Sequence, residues 1–152
     1  PKLKNENIID LISMTVEYLR KRSGNKVIWN WNPPKKSLSI PMNSTLISWT
    51  IENIVKNGID SIKGEGEIKI ELINLKTLIR ILISDNGVGI PENVINKVFN
   101  PGHTTKKGGW GLGLSLVERI IVKFHEGKVM IKETKVGKGT TFEISLNKKL
   151  NP

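Results

Sequence analysis

A carboxylate beside a sharp turn is the first feature of the sequence that could do chemistry. Asp85 follows the run Leu78 to Ile83, which is apolar except for Arg80. A short run rich in branched aliphatic residues that ends in a turn signal predicts a strand buried on both faces. Asn86-Gly87 then turns the chain, but this dipeptide between apolar runs is also typical of a hairpin. Both a functional strand end and an ordinary hairpin fit this stretch taken alone.

Glycines concentrate downstream of this turn. Of the 14 glycines, eight lie between Gly87 and Gly127, and the stretch Gly108 to Leu114 leads directly into a predicted helix. Free backbone N–H groups at the start of a helix form a good site for phosphate groups. A carboxylate at a strand end, together with a glycine-rich start of a helix, therefore predicts a nucleotide pocket.

Two asparagines share one face of another predicted helix. Asn53 and Asn57 lie four residues apart in a helix expected to begin at Asn43 or Ser44 and to end near Ile62. Asparagine is a poor helix former because its amide competes for backbone hydrogen bonds. Two asparagines on one face therefore indicate polar partners, and a pair of solvated side chains is the alternative.

Several other kinds of site are excluded by the sequence. No Walker-type Gly-x-x-x-x-Gly-Lys-[Ser/Thr] motif occurs, and the dinucleotide-binding fingerprint fails because Leu114 stands where its last glycine is needed. The absence of cysteine excludes disulfides, thiolate metal sites and cysteine nucleophiles. The two histidines, His103 and His125, are isolated, so neither belongs to a zinc-binding pair.

Composition indicates a soluble domain with an anionic ligand. The 152 residues carry a net charge of +10, but the lysines are scattered, so we expect a phosphate-bearing small ligand and no nucleic acid. No apolar stretch of membrane-spanning length and no secretory segment occurs, so we expect this chain to lie outside the membrane. The chain begins at Pro1 without an initiator methionine. We expect one domain over residues 1–152, excised from a longer chain.

Hydrophobic periodicity predicts an α/β fold. Amphipathic helices are expected over residues 5–22, 44–62 and 112–124, with a short helix from Pro91 to Phe99. Strands are expected over residues 26–31, 37–40, 67–72, 78–83, 128–134 and 140–146. These elements predict a mixed, mostly antiparallel sheet that is covered on one face by three helices.

Five short stretches follow one another in a recognisable order. They are Asn53 to Asn57, Asp85 to Gly89, Phe99, Gly109 to Leu114, and Gly137 to Phe142. In this order they closely resemble the N, G1, F, G2 and G3 boxes of the catalytic and ATP-binding domain of bacterial sensor histidine kinases. That domain belongs to a superfamily that also holds gyrase, Hsp90 and MutL. The resemblance covers roughly Ile40 to Leu146 and implies the two-layer α/β sandwich known as the Bergerat fold.

The resemblance implies ATP and Mg²⁺ as ligands of one pocket. It makes Asn57 the expected Mg²⁺ ligand, since a neutral amide oxygen suits a metal that keeps several waters. Asn53 is expected to hold one of those waters or a phosphate oxygen. Lys106, in the segment that matches the mobile ATP lid, is expected to meet the terminal phosphates and to act with Asn57 in catalysis. A solvated loop charge is the alternative for Lys106.

The resemblance also gives roles around the adenine base. Asp85 is expected to accept a hydrogen bond from the exocyclic amine, with Thr140 beside it. Gly87 and Gly89 are expected to let the backbone approach the base. The nucleotide-binding residues implied in full are Asn53, Asn57, Asp85, Gly87, Gly89, Ile90, Thr104, Thr105, Lys106, Gly109, Gly111, Leu112, Gly113, Leu114 and Thr140.

Departures from the family pattern favour a kinase over a hydrolase. The gyrase, Hsp90 and MutL branch carries a glutamate where this chain has Asn53, so a base for water attack is missing. Asp60-Ser61 replaces a basic and an aromatic residue, which leaves open the group that stacks on adenine. Neither His103 nor His125 lies in a helical phosphoacceptor context.

The resemblance therefore implies phosphoryl transfer to a partner. The γ-phosphate is expected to pass to a histidine on a separate dimerisation domain, with a response regulator downstream. An anti-sigma-factor-type serine kinase and a gyrase- or MutL-like ATPase are the alternatives. We expect a cytoplasmic location, and whether the parent chain is anchored in the inner membrane is left open.

Overall fold

The helices and strands of the computed structural model follow the predicted order, with one strand added. The described residues are 2–100 and 110–150, and of residues 110–112 only the backbone is described. The helices are α1 (Ile8–Ser23), α2 (Ser44–Ser61) and α3 (Trp110–Glu118), which continues as a π-helical segment over Arg119–Phe124. The strands are β1 (Lys4–Asn7), β2 (Val27–Trp31), β3 (Ser39–Met42), β4 (Gly66–Asn74), β5 (Leu78–Asp85), β6 (Lys128–Lys135) and β7 (Gly139–Asn147). Short 3₁₀ segments cover Gly24–Lys26 and Glu92–Lys97.

Five strands form the main sheet in the order β2-β4-β5-β7-β6. Only β2 and β4 run parallel, and the other three neighbouring pairs are antiparallel. The mixed, mostly antiparallel sheet predicted from the sequence is therefore confirmed. Because β5 pairs with β4 and β7, the turn after Asp85 is not a hairpin, and that alternative is wrong.

The strand β1 was not predicted, because its sequence KNEN is polar and shows no alternation. The sequence predicted a helix from residue 5, but α1 begins at Ile8. The side chain of Asn7 caps this helix, since its Oδ1 accepts hydrogen bonds from the N–H groups of Ile9 (2.9 Å) and Asp10 (3.3 Å). β1 pairs with β3 in a separate two-stranded antiparallel sheet.

One face of the main sheet carries the core. The buried side chains of the three central strands on this face are Ile68, Ile70, Ile79, Ile81, Ile83, Phe142, Ile144 and Leu146. They share one apolar cluster with helix residues that include Ile12, Ile47, Ile51, Ile54 and Val117. The apolar side chains that alternate along the strands therefore pack against the apolar faces of the helices in a single layer.

The prediction that β5 is buried on both faces is wrong. On the face away from the core cluster only Leu82 is buried, whereas Arg80 and Ser84 remain partly exposed. The apolar run is explained instead by the central position of β5 between β4 and β7. Within residues 2–100 and 110–150, none of the helices combines the length and the apolar character needed to cross a bilayer.

His125, which sequence analysis left isolated, joins two helices. It follows the π-helical segment and is only 5% exposed. Its Nε2 accepts a hydrogen bond from the backbone N–H of Asn43 (3.0 Å), so the ring proton is on Nδ1, which donates to the carbonyl of Ile120 (2.8 Å). Asn43 is the N-cap of α2, and its side chain accepts from the N–H of Leu46. One neutral imidazole therefore ties the end of α3 to the start of α2.

Burial lowers the pKa of His125 below the ordinary histidine value, and the hydrogen bond to Ile120 offsets part of this change. The folded state therefore binds a proton less readily than the unfolded chain. The resulting stability is fully present above the unfolded pKa of about 6.5 and is lost as the pH falls below it. Protonated Nε2 also has no lone pair for the N–H of Asn43.

We expect the free energy of unfolding to fall between pH 7.5 and pH 5.5, by at most about 1.4 kcal/mol per pH unit from this one group. His125→Gln, which is uncharged throughout, should flatten that dependence, and urea unfolding at several pH values measures it. The same slope in His125→Gln and in the unmodified chain would show that His125 does not titrate in this way.

Candidate functional site

A cavity of about 540 Å³ lies at the end of β5. It is surrounded by the C-terminal half of α2, the loop after β5, the 3₁₀ segment Glu92–Lys97, the first half of α3 and the β6–β7 hairpin. Its lining residues are Asn57, Gly58, Asp60, Ser61, Lys63, Asp85, Val88, Gly89, Ile90, Pro91, Val94, Val98, Leu114, Val136, Thr140 and Phe142. Apolar walls with a few convergent polar groups are typical of a small-molecule site.

Asp85 is the central polar group of the cavity. Its Oδ1 accepts a hydrogen bond from the backbone N–H of Gly87 (2.9 Å). It also accepts from the hydroxyl of Ser61 (3.2 Å), whose single proton is shared with the carbonyl of Gly58 (2.8 Å). Burial raises the pKa of Asp85, and the bonds from Gly87, Ser61 and the backbone of Thr140 offset part of that rise. The carboxylate is therefore held in one orientation while it remains available as an acceptor.

Thr140 lies directly beside Asp85 in the sheet. The two residues are register partners on β7 and β5, and both belong to the face that carries the core. Thr140 is buried, and its hydroxyl lies 2.8 Å from the hydroxyl of Thr134 on β6. The floor of the cavity thus holds Asp85 and Thr140 from two neighbouring strands, and Thr134 supports Thr140 from the next strand, β6.

Two glycines allow the surrounding elements to close on Asp85. A Cβ on Gly58 would lie 3.1 Å from both Cβ and Oδ2 of Asp85, so α2 reaches the carboxylate only because position 58 has no side chain. A Cβ on Gly139 would overlap the carbonyl oxygen of Asp85, and its φ of 115° is one that only glycine adopts readily. The backbone of α2 at Gly58 and the backbone of β7 at Gly139 therefore both lie close to Asp85.

Gly87 and Gly89 are needed for packing within the protein, and their predicted role beside a bound base stays a prediction. A Cβ on Gly87 would overlap the hydroxyl of Ser61, and a Cβ on Gly89 would overlap the carbonyl oxygen of Lys135. Both glycines therefore allow the loop after β5 to pack against α2 and β6. Gly89 also lines the cavity, whereas Gly87 lies behind Asp85.

The two asparagines of α2 occupy different places. Asn57 lines the cavity, half-buried next to Gly58. Asn53, one turn earlier, lies outside the lining, where its Nδ2 donates to the carbonyl of Trp49 (3.3 Å). Its Oδ1 lies against Gly113 in the first half of α3, at a position that a Cβ on that glycine would occupy. Asn53 therefore joins α2 to the start of α3.

The other predicted residues divide into three groups. Besides Asn57, Asp85, Gly89 and Thr140, the cavity lining includes Ile90 and Leu114. Gly111 and Leu112 lie in the first turn of α3, where only the backbone is described. Thr104, Thr105, Lys106 and Gly109 lie outside the described residues.

Sequence reasoning missed Gly58 and Ser61 as site residues. A glycine inside a predicted helix was the available signal for Gly58, because such a glycine is costly without a packing reason. Ser61 lies four residues after Asn57, so it had to share the face of the asparagines. The group that stacks on a base was left open. The described lining contains one aromatic side chain, Phe142, and several aliphatic ones, with Val88, Val94 and Val136 among them.

A second, larger concavity runs between α1 and α2, with a volume of about 740 Å³. Among the described residues, its lining includes Glu6, Asp10 and Glu52 and contains no lysine or arginine. Three carboxylates repel a polyphosphate. The cavity at Asp85 is therefore the better candidate for a phosphate-bearing ligand.

No group of three or more His, Cys, Asp or Glu side chains in the described part of the chain could hold a metal ion by itself. Asn57 still offers one neutral oxygen at the cavity wall. This donor set fits Mg²⁺, which commonly takes one or two protein ligands and completes its shell with phosphate oxygens and water.

Comparisons with known proteins agree with this geometry. Residues 42–150 match the family described as histidine kinase-, DNA gyrase B-, and HSP90-like ATPase. Sporulation kinase A of Bacillus subtilis is 33% identical over 115 residues, which are 76% of this chain and 19% of that kinase. A sensor histidine kinase NtrY-like protein of Rickettsia bellii is 30% identical over 149 residues, which are 97% of this chain and 24% of that protein. The chain thus spans about a fifth to a quarter of the length of these relatives.

Solved structures give the same assignment. A catalytic domain of histidine kinase ThkA superposes with a TM-score of 0.81 at 29% identity, over 99% of this chain and 100% of that domain. Histidine kinase ThkA in complex with the response regulator protein TrrA matches with a TM-score of 0.82 at 25% identity, over 96% of this chain and 42% of that one. The predicted fold is confirmed. Since the family match covers most of its length, this chain belongs to the family of histidine kinase-, DNA gyrase B- and HSP90-like ATPases.

Proposed function

We propose that this chain is the ATP-binding catalytic domain of a sensor histidine kinase. It binds Mg-ATP at the end of β5 and donates the γ-phosphate to a histidine on a separate dimerisation domain. The observation that carries the proposal is the carboxylate of Asp85, oriented by three donors and paired with Thr140 at the floor of an apolar cavity.

Asp85 would select adenine through its charge. The exocyclic group of adenine is an N–H₂ donor, which an ionised carboxylate accepts, whereas guanine presents an oxygen acceptor at the same position. The aliphatic walls formed by Val88, Val94 and Val136 would cover the faces of the ring. Removing these surfaces from water adds affinity without selecting a base.

The phosphates would extend from the base toward α2 and α3. The first turn of α3 offers unpaired backbone N–H groups and the positive end of a helix dipole. Asn57 would hold the metal ion, and Mg²⁺ would neutralise charge on the phosphates when bound. Lys106, Thr104, Thr105 and Gly109 remain predicted contacts from the sequence.

Two observations favour phosphoryl transfer to a partner over hydrolysis. The amide of Asn53 cannot act as a general base, and its Nδ2 donates to the carbonyl of Trp49. His125 is buried with both ring nitrogens hydrogen-bonded, so it is not exposed to accept a phosphoryl group. The acceptor histidine is then supplied by another domain, in keeping with the small share of its relatives that this chain spans.

A response regulator would receive the phosphoryl group afterwards. The ThkA structure in complex with the response regulator TrrA supports such a partner. A domain that uses ATP in this way would act in the cytoplasm, where ATP is available. An anti-sigma-factor-type serine kinase, which shares the boxes, is separated by the chemical identity of the phosphorylated residue.

Asp85→Asn should lower the affinity for Mg-ADP at least tenfold, because a charge-assisted hydrogen bond of about 1.5 kcal/mol is lost. Its effect on stability should have the opposite sign. The pKa of Asp85 is raised on folding, so stability from this group is present below its unfolded pKa and is lost as pH rises through the folded one. At pH 7 the asparagine variant should therefore unfold at no lower temperature than the original chain.

Calorimetric titration and thermal unfolding measure the two effects. Glu143→Gln is the matched control, because Glu143 is the register partner of Leu82 and points to the opposite face of the same sheet. It should leave ADP affinity unchanged. Equal ADP affinity in Asp85→Asn and the original chain would remove Asp85 from the site.

Incubated alone with labelled Mg-ATP, the chain should neither accumulate phosphohistidine nor hydrolyse ATP appreciably. Mixed with the separately expressed dimerisation domain of its parent chain, it should phosphorylate a histidine there. Asn57→Ala should abolish that transfer because the metal ligand is removed. Acid-labile label on the dimerisation domain is the measured product.

Asn74→Ala, at the far end of β4, is the control and should transfer normally. Rapid hydrolysis by the unmodified chain would place it with the gyrase-like ATPases instead. Acid-stable label on serine would identify a serine kinase.

A further inference from the structure

Thr134 belongs to none of the boxes, yet its hydroxyl joins three segments of the site. It accepts a hydrogen bond from the backbone N–H of Ile90 (3.0 Å). It lies 2.8 Å from the hydroxyl of Thr140 and 3.3 Å from the carbonyl oxygen of Gly139. One side chain of β6 therefore fixes the loop after β5 against the first residues of β7.

A β-bulge brings Thr134 beside Thr140, which lines the cavity. Ile131 pairs with Phe142, whereas Glu133 pairs with Thr141, so β6 contains one residue more than β7 between these pairs. Side chains alternate between the two faces, and the extra residue shifts that alternation by one. Thr134 thereby lies on the same face of the sheet as Thr140, whereas regular pairing would turn it to the opposite side. Bulges that re-aim a side chain are common beside functional sites.

Two arrangements of the hydroxyl protons fit these contacts, because the Thr134 oxygen that accepts from Ile90 keeps a second lone pair. In the first, Thr134 donates to Thr140 (2.8 Å), and Thr140 directs its own proton toward a third group. In the second, Thr140 donates to Thr134, which donates to the carbonyl of Gly139 (3.3 Å). The 3.3 Å contact is long for an O–H···O bond, so an acceptor on a bound ligand beside Thr140 favours the first arrangement.

We propose that Thr134 is a positioning residue that sets base specificity by holding Thr140 as a donor beside the acceptor Asp85. An acceptor next to a donor matches the edge of adenine, where an amino group adjoins a bare ring nitrogen. Hypoxanthine presents an oxygen beside an N–H, which is the reverse pattern. This inference rests on the proposed nucleotide site.

The test compares ADP with IDP, the hypoxanthine nucleotide, in calorimetric titrations with Mg²⁺. Thr134→Val has nearly the same shape but no hydroxyl, so Thr140 loses the group that orients its proton. ADP affinity should fall about tenfold, the effect of one hydrogen bond, while IDP affinity changes by less than about twofold. Thr134→Ser keeps the hydroxyl and should retain the preference for ADP that the original chain shows.

Thr141→Val is the matched control. Its hydroxyl makes an equally short bond of 2.8 Å, to Ser84 of β5, on the opposite face of the same sheet. Losing that bond should leave the ratio of ADP to IDP affinity unchanged. If Thr134→Val does not fold, Thr134→Ala removes the same hydroxyl without adding a methyl group and is titrated in the same way.

The outcomes separate this inference from the proposed function. No binding of ADP by the unmodified chain would overturn both. Binding of ADP by the unmodified chain, with the preference for ADP over IDP retained in Thr134→Val, would overturn the role of Thr134 alone. An equal loss of ADP and IDP affinity in Thr134→Val would also overturn it, because a purely structural residue predicts that result.

Discussion

The partly buried carboxylate of Asp85 is the group on which the arrangement of the site depends. A carboxylate removed from water needs donors, and here they come from three elements: Ser61 at the end of α2, Gly87 in the loop after β5, and the backbone of Thr140 on β7. One acceptor, the carboxylate of Asp85, thus holds these three elements together. Two glycines, Gly58 and Gly139, leave the space that lets α2 and β7 close on it.

The helix α2 is fixed at both ends by a hydrogen bond to a partly or fully buried side chain. At its N-cap the backbone of Asn43 donates to the buried neutral ring of His125, and at its last residue Ser61 donates to Asp85. Asn57 lies between these two anchors. The position of Asn57, the proposed metal ligand, is therefore set by His125 after the π-helical segment and by Asp85 on β5.

Much of the fold could be predicted from the sequence because burial follows simple periods. Alternation in β4 and the helical spacing in α1 and α2 located the core, and the order of the five boxes placed Asp85 beside Thr140. The continuous apolar run of β5 hid its alternation, so burial on both faces was wrongly predicted. Polar β1 escaped prediction because its stability comes from pairing with β3. The roles of Gly87 and Thr134 also escaped, because a packing partner and a strand register are properties of the folded chain. The predicted lid contacts, Lys106 among them, stay predictions.

The central claim is that the end of β5 is an adenine site, and a crystal structure of the chain with ADP and Mg²⁺ tests it most directly. The account predicts that the adenine amino nitrogen lies about 3 Å from a carboxylate oxygen of Asp85, with the ring between the aliphatic walls and the phosphates toward the start of α3. A base bound in the groove between α1 and α2, or one that makes no contact with Asp85, would contradict it.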